Sequence, residues 1–307
     1  MTSRTFRAMG TDIYMEIPNS CIGDDFERSR ILADAARKMT QLESIFTRFH
    51  RDSDLNLINH STGKWIQIRP CLYEVLQLAK DCFITTRGLF NPCLGAVMNQ
   101  LGYNVPLEQI GDHTIRPVIE IPYVSPVHCP FDVRIQGTAY QAWLEPGYQI
   151  DLGGIAKGWI VQRIANDLQS LGVHQFVCNA GGDVICNGYN GTRTWRVGIR
   201  NPFDTNDHLL QLDIHDLAVA TSGTYKRTWK NHGQTFHHII DPFLGVPAHS
   251  NVISCSVVHH DLVTAEVQAK VALIMGTEKG IAWLNNQDCA GWVIITHNGT
   301  VVTSCNL

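Results

Sequence analysis

Residues 12–17 alternate apolar and polar positions, which predicts a first strand, because side chains of an extended chain point to opposite faces in turn. Residues 28–49 follow the helical period instead, with Ile31, Ala35, Met39, Leu42, Phe46 and Phe49 on one face. A second helix is expected at 71–86, with Gly88 placed to stop it. The stretch 104–150 is proline-rich and predicts irregular chain with short strands. A further helix opens near Ile155 and runs to about Leu171, turning Trp159, Ile160, Ile164 and Leu168 inward. Strands are expected at about 175–179, 184–188, 195–200 and 252–258. A helix begins near Leu262, and closing strands fall at 291–296 and 299–303. Helices and strands are both abundant without strict alternation, which favours an α+β fold over a doubly wound sheet. There is no internal repeat and no low-complexity linker.

Composition narrows the class. The chain has 307 residues, 44% hydrophobic and 17% charged, enough apolar content for a large core. Its formal net charge of −4 argues against a general nucleic-acid binder and a polybasic membrane surface. No apolar run is long enough to span a bilayer. The start, "MTSRTFRAMGTDIYMEI", has no long apolar core of a signal peptide, so a cytoplasmic location is expected. Ten cysteines are scattered without a CxxC pair, which predicts reduced, mostly buried thiols rather than structural zinc.

Candidate chemistry sits in a few loops. "QIDLGGIAKGWIVQRI", 149–164, reads as a strand ending on Asp151, two glycines, and a helix start carrying Lys157. Glycines let backbone N–H groups approach an anion, and a helix N-terminus adds positive potential. Neither the dinucleotide nor the P-loop spacing is met. "CNAGGDV", 178–184, pairs glycines before Asp183, and "ATSGTYKR", 220–227, reads as a turn with Thr221, Ser222 and Thr224 around Gly223. "HHIIDPFLGVPAHS", 237–250, sets His238 beside Asp241, a mixture that no plain core strand needs.

The order of the blocks carries more than any one of them. "MGTDIYMEI", "LESIFTRFHRDSDLNLIN", "TRGLFNPCLGAV", "IDLGGIAKGWIVQRI", "CNAGGDV", "WRVGIRNP", "AVATSGTYKR", "HHIIDPFLGVPA" and "TAEVQAKVALIMG" follow one another along the chain. This sequence resembles the ApbE family of FAD:protein FMN transferases from Met9 to about Val301. The resemblance implies an ApbE-like, T-fold-related architecture with mainly antiparallel sheets, a single domain over 1–307 with two lobes and FAD bound between them. It implies transfer of FMN from FAD to a Ser or Thr hydroxyl of a target flavoprotein, with Mg²⁺ at the diphosphate. Carried over by position, Met9, Phe49, Phe90, Asn91, Pro92, Asp151, Lys157 and, through its backbone, Ile240 would contact FAD. His238 would be the base, with Asp241 beside it.

The metal block departs from the family. Where the family has Ala-Asp and then Thr on a helix, this chain has Glu266 and Lys270, and the backbone-carbonyl ligand falls at Gly154. A protonated lysine cannot ligate Mg²⁺. The expectation is a weak or absent metal site, with the Lys270 ammonium reaching the phosphates; a surface Glu266–Lys270 pair at i, i+4 is the bland reading. Asn91, Gln162 and Thr224 each stand where the family usually has Asp, so the resemblance implies a pocket less anionic than a typical member's. Three activities stay open: FMN transfer, FAD or nucleotide-like anion binding without transfer, and FAD hydrolysis to FMN and AMP.

Overall fold

The alternation at 12–17 becomes the second strand of an eight-stranded sheet rather than its first. The computed structural model of the chain describes residues 1–110, 123–204, 206–231 and 233–304. Numbered in chain order, the strands of this sheet are β1 Thr2–Ala8, β2 Thr11–Ile17, β3 Phe176–Ala180, β4 Asp183–Asn187, β5 Leu217–Gly223, β6 Val252–His259, β7 Gly291–Thr296 and β8 Val301–Thr303. Their spatial order equals their chain order, and every neighbouring pair is antiparallel. Strand β1 is invisible to periodicity because it lies at the sheet edge and buries only Thr2 and Ala8 of its seven residues. Strands β6 and β7 are buried on both faces, so they read as continuous apolar runs.

The helices are α1 Asp25–Phe46, α2 Asp54–Asn59, α3 Pro70–Thr85, α4 Gly95–Gln100, α5 Ala156–Ser170 and α6 Leu262–Leu284. Helix α6 starts on Asp261, whose side chain accepts the Thr264 N–H at 2.7 Å, and it packs across β5 and β6. It breaks at Gly276, where φ is +79°, before resuming to Leu284. Gly88 does stop α3: its φ is +82° and its N–H donates to the Phe83 carbonyl at 2.8 Å. Trp159, Ile160, Ile164 and Leu168 are all buried, as their period requires.

Three local expectations change. Helix α1 ends at Phe46, so Phe49 lies beyond it and is half-buried by ring packing rather than by the helical face. Residues 217–223 form β5, paired on both sides, so the first half of "ATSGTYKR" is a central strand and not a turn. Within it Thr221 Oγ1 lies 2.8 Å from Ser256 Oγ on the neighbouring strand. Asp151 ends no strand; only an isolated bridge joins Gln149 to Leu94. Of the proline-rich stretch, 111–122 lies outside the described residues, and the remainder supplies strands Phe131–Gln136 and Ala139–Leu144.

The chain divides into two compact units, one of Met1–Glu43, Lys157–Gly223 and Asn251–Leu307, the other of Ser44–Ala156 and Thr224–Ser250. The first holds the large sheet with α5 and α6. The second holds α2 to α4, a three-stranded sheet in which Ala139–Leu144 is central, and two short ribbons, Thr228–Asn231 with Gln234–His237 and Ile240–Asp241 with Val246–Pro247.

Candidate functional site

In the second unit the loops around Asp151 converge on Arg48. The Arg48 side chain is 5% exposed and its Nε pairs with Asp151 Oδ2. Nη1 donates to Asn99 Oδ1 at 2.7 Å, and Nη2 donates to the Tyr103 carbonyl. The guanidinium also lies 4.3 Å from the Phe49 ring centroid and 4.9 Å from that of Tyr103. Asp151 Oδ1 accepts the Gly153 N–H at 2.8 Å, which shapes the first turn of "DLGG". Its own N–H donates to the Pro92 carbonyl at 2.8 Å, so the "FNP" loop is tied to the same point.

Aromatic rings extend from there. Phe49 meets Tyr103 at 5.5 Å between centroids, Tyr103 stacks on Trp229 at 5.1 Å, and Trp229 on Phe236 at 6.2 Å. The Trp229 indole N–H donates to the Leu101 carbonyl at 2.7 Å. Burial pushes the Tyr103 phenol pKa up, so that hydroxyl stays protonated.

The "IIDP" segment is a built turn. Asp241 Oδ1 accepts the N–H of Phe243 at 2.8 Å and of Leu244 at 3.1 Å. Tyr123 donates to the Pro242 carbonyl at 2.6 Å, and Asn91 Nδ2 lies 3.5 Å from the Tyr123 hydroxyl. Ile240 packs with Val97 and Met98 under Tyr123. His238 is half-buried two residues before the buried Ile240. Phe49, Phe90, Asn91, Pro92, Asp151, Ile240 and Asp241, all expected from the sequence, thus belong to one unit; Arg48 and Tyr103 link Phe49 to Asp151, and Tyr123 links Asn91 to the "IIDP" turn. The three linking residues were not picked out by sequence reading. Arg48 stands directly before Phe49 in the "FTRFHRDSDLNLIN" block, but a lone arginine carries no periodic signal.

The first unit holds Met9, Lys157, Glu266 and Lys270. Met9 and Gly10 form the two-residue turn between β1 and β2, with φ of +54° and +64°. "CNAGGDV" makes the equivalent hairpin between β3 and β4, with Gly181 and Gly182 at positive φ. A Cβ on Gly181 would meet Thr11 Oγ1 at 2.1 Å. Lys157, in the first turn of α5, pairs with Asp183 and lies 3.8 Å from Glu266 Oε1. Glu266 Oε2 accepts the Gly158 N–H at 2.9 Å. Glu266 is 6% exposed, so the surface-pair reading of Glu266 and Lys270 is wrong on the glutamate's side; Lys270, one turn on, is half-buried.

These residues do not fit a resident magnesium ion. One Glu266 oxygen caps a helix and the other faces an ammonium. A cation beside that ammonium at about 4 Å is repelled by about 4 kcal/mol per unit of charge at an effective dielectric near 20.

A sequence model described as the ApbE family matches residues 9–293. The chain is 28% identical over 267 residues to an FAD:protein FMN transferase of Klebsiella pneumoniae (strain 342), covering 85% of this chain and 81% of that one. It is 29% identical over 258 residues to an FAD:protein FMN transferase of Treponema pallidum (strain Nichols), covering 80% and 71%. The crystal structure of the ApbE protein of Thermotoga maritima superposes with a TM-score of 0.85 at 25% identity, covering 99% of this chain and 96% of that one. The flavin transferase ApbE of Vibrio cholerae has the same fold, with a TM-score of 0.81 at 22% identity and coverage of 99% and 97%.

Proposed function

The chain belongs to the ApbE family, and from that premise we propose that it moves FMN from FAD to a Ser or Thr hydroxyl of a target flavoprotein. The observation that carries the reading is the family match over 9–293, which spans every block expected to touch FAD. In this reading His238 takes the proton of the acceptor hydroxyl, the task of a base with a pKa near neutrality. The hydroxyl oxygen then attacks the phosphorus of the FMN half. A new O–P bond forms, the P–O bond to the AMP half breaks, and AMP leaves with the bridging oxygen. Lys270 supplies positive charge to the phosphates as they gain negative charge. Asp241 holds the turn that follows His238, which makes it a positioning residue in this scheme. Phe49, Phe90, Asn91, Pro92, Asp151, Ile240 and Met9 form the FAD contacts, with Arg48 fixing Asp151 and Phe49. No step runs through Mg²⁺, because Glu266 and Lys270 do not offer it a ligand set.

Incubating the protein with FAD and a candidate flavoprotein, followed by intact mass spectrometry of the acceptor, tests this directly. The expected product is the acceptor carrying one FMN, with AMP released. His238→Ala should keep FAD bound and lose transfer, by a factor of about 10²–10⁴ for a general base. Undiminished transfer in that variant removes His238 from the role. Intact FAD left on the protein would make it a binding protein, and free FMN with AMP would make it a pyrophosphatase.

A further inference from the structure

Three charges, two buried carboxylates and one half-buried lysine, meet in the first unit. The Lys157 side chain is 15% exposed, Asp183 4% and Glu266 8%. Each comes from a different element: Lys157 from the first turn of α5, Asp183 from the start of β4, Glu266 from α6. Each carboxylate also accepts a backbone N–H, Asp183 Oδ1 from Thr221 at 3.0 Å and Glu266 Oε2 from Gly158 at 2.9 Å. Buried carboxylates demand a cation, and a single ammonium within reach of both supplies it.

The packing is fitted to this arrangement. A Cβ on Gly158 would stand 2.6 Å from Glu266 Oε2, and 3.4 Å from the Leu262 carbonyl and the Val263 Cα. The start of α5 therefore approaches α6 closely enough for Glu266 to cap it from another helix. Gly158 is the third residue of α5, where an N–H has no partner inside its own helix. The positive end of the α5 dipole adds to the stabilisation of the same carboxylate. Glutamate, one methylene longer than aspartate, has the reach to serve Gly158 with one oxygen and face Lys157 with the other.

We propose that the Lys157 ammonium is the fixed cation of Asp183 and Glu266, and that Glu266 is a capping and lysine-holding residue rather than a metal ligand. The chain then carries no resident divalent ion at Glu266, and Lys157 serves the protein's own carboxylates instead of the FAD phosphates. The family membership defines what is replaced, but the test does not depend on transfer activity.

The experiment titrates Mn²⁺ into the nucleotide-free, chelator-treated full chain and follows the loss of the free-ion electron paramagnetic resonance signal. Wild type, Glu266→Gln, Lys157→Met and the double variant are compared. The quantity read is the Mn²⁺ uptake that Glu266→Gln removes; glutamine still accepts the Gly158 N–H through its oxygen. Wild type should show none up to about 1 mM, the weak end of protein divalent sites. Lys157→Met frees both carboxylates and should take up about one ion per chain, with a matching Mn²⁺-dependent rise in melting temperature. Glu266-dependent uptake by wild type overturns the proposal. So does a folded Lys157→Met that gains no such uptake. If Lys157→Met does not fold, the wild-type comparison decides, and Mn²⁺-dependent recovery of the folded variant supports the proposal. Loss of transfer in the earlier assay would leave all of these outcomes readable.

Discussion

Met9 is a non-glycine residue held at φ +54° in a two-residue hairpin turn. Such turns favour Asn or Gly at their first central position, since left-handed backbone costs other residues about 1–2 kcal/mol. A strained residue at a hairpin tip is a reason to ask what its side chain does. If it contacts flavin, Met9→Gly should raise stability by about 1 kcal/mol in urea unfolding while weakening FAD binding measured by flavin fluorescence. A gain in stability with unchanged affinity would place Met9 outside the ligand contacts. Arg48 is the opposite kind of residue, buried and fully engaged. Removing one partner of a buried ion pair costs about 3–5 kcal/mol, so Arg48→Ala should lower the urea midpoint by at least that equivalent. Arg48→Lys should recover only part, because a lysine cannot reach Asp151, Asn99 and the Tyr103 carbonyl with one fork. A near-neutral Arg48→Ala would mean that the pair is not formed in solution.

Between elements, the contact of α5 with α6 sets two terms against each other. Alanine at a helical glycine is favoured intrinsically by about 1 kcal/mol. At Gly158 the added methyl would press on a buried carboxylate at 2.6 Å, and overpacking costs about 1–3 kcal/mol. The net expectation for Gly158→Ala is destabilisation of up to about 2 kcal/mol, and the same substitution made in a Glu266→Ala background should cost less, because the clashing oxygens are gone. A stabilised Gly158→Ala would show that the helices stand further apart. The hairpin between β3 and β4 obeys the same logic at Gly181, where Thr11 of the neighbouring strand fills the space of a side chain.

At the scale of the whole molecule, the nine described cysteines are free, and Cys305 lies outside the described residues. Those in the large sheet are sealed in it: Cys178, Cys186 and Cys255 have no exposed surface. Burial pushes the Cys178 and Cys186 thiols up to about 12, and Cys255 is raised in the same way. At pH 8 the thiolate fraction is then about 10⁻⁴, against about one quarter for an ordinary thiol near 8.5. Alkylation of the native protein at pH 8, read by peptide mass spectrometry, should spare all three until denaturant is added. Rapid native labelling of Cys178 would mean that the sheet opens. No helix of the described residues is long and apolar enough to cross a membrane.

The sequence alone was enough for the family and for the longer elements. Strands with one buried face and helices with one buried stripe leave a period of two or 3.6 residues, so β2, α1, α3, α5 and α6 could be read directly. Ordered motif blocks were legible for a similar reason: each is local. Edge strand β1 was not legible, because it buries almost nothing, and β5 was mistaken for a turn because Ser, Thr and Gly suit both. Tertiary structure alone decided the polar partners. Arg48 meets Asp151 across 103 residues, and Glu266 meets Gly158 across 108. Periodicity records that a position is buried, not what it is buried against, and a single buried charge leaves no repeat to read. Glu266 therefore looked like a degraded metal ligand in the sequence, and only the approach of α5 to α6 shows it capping a helix beside Lys157.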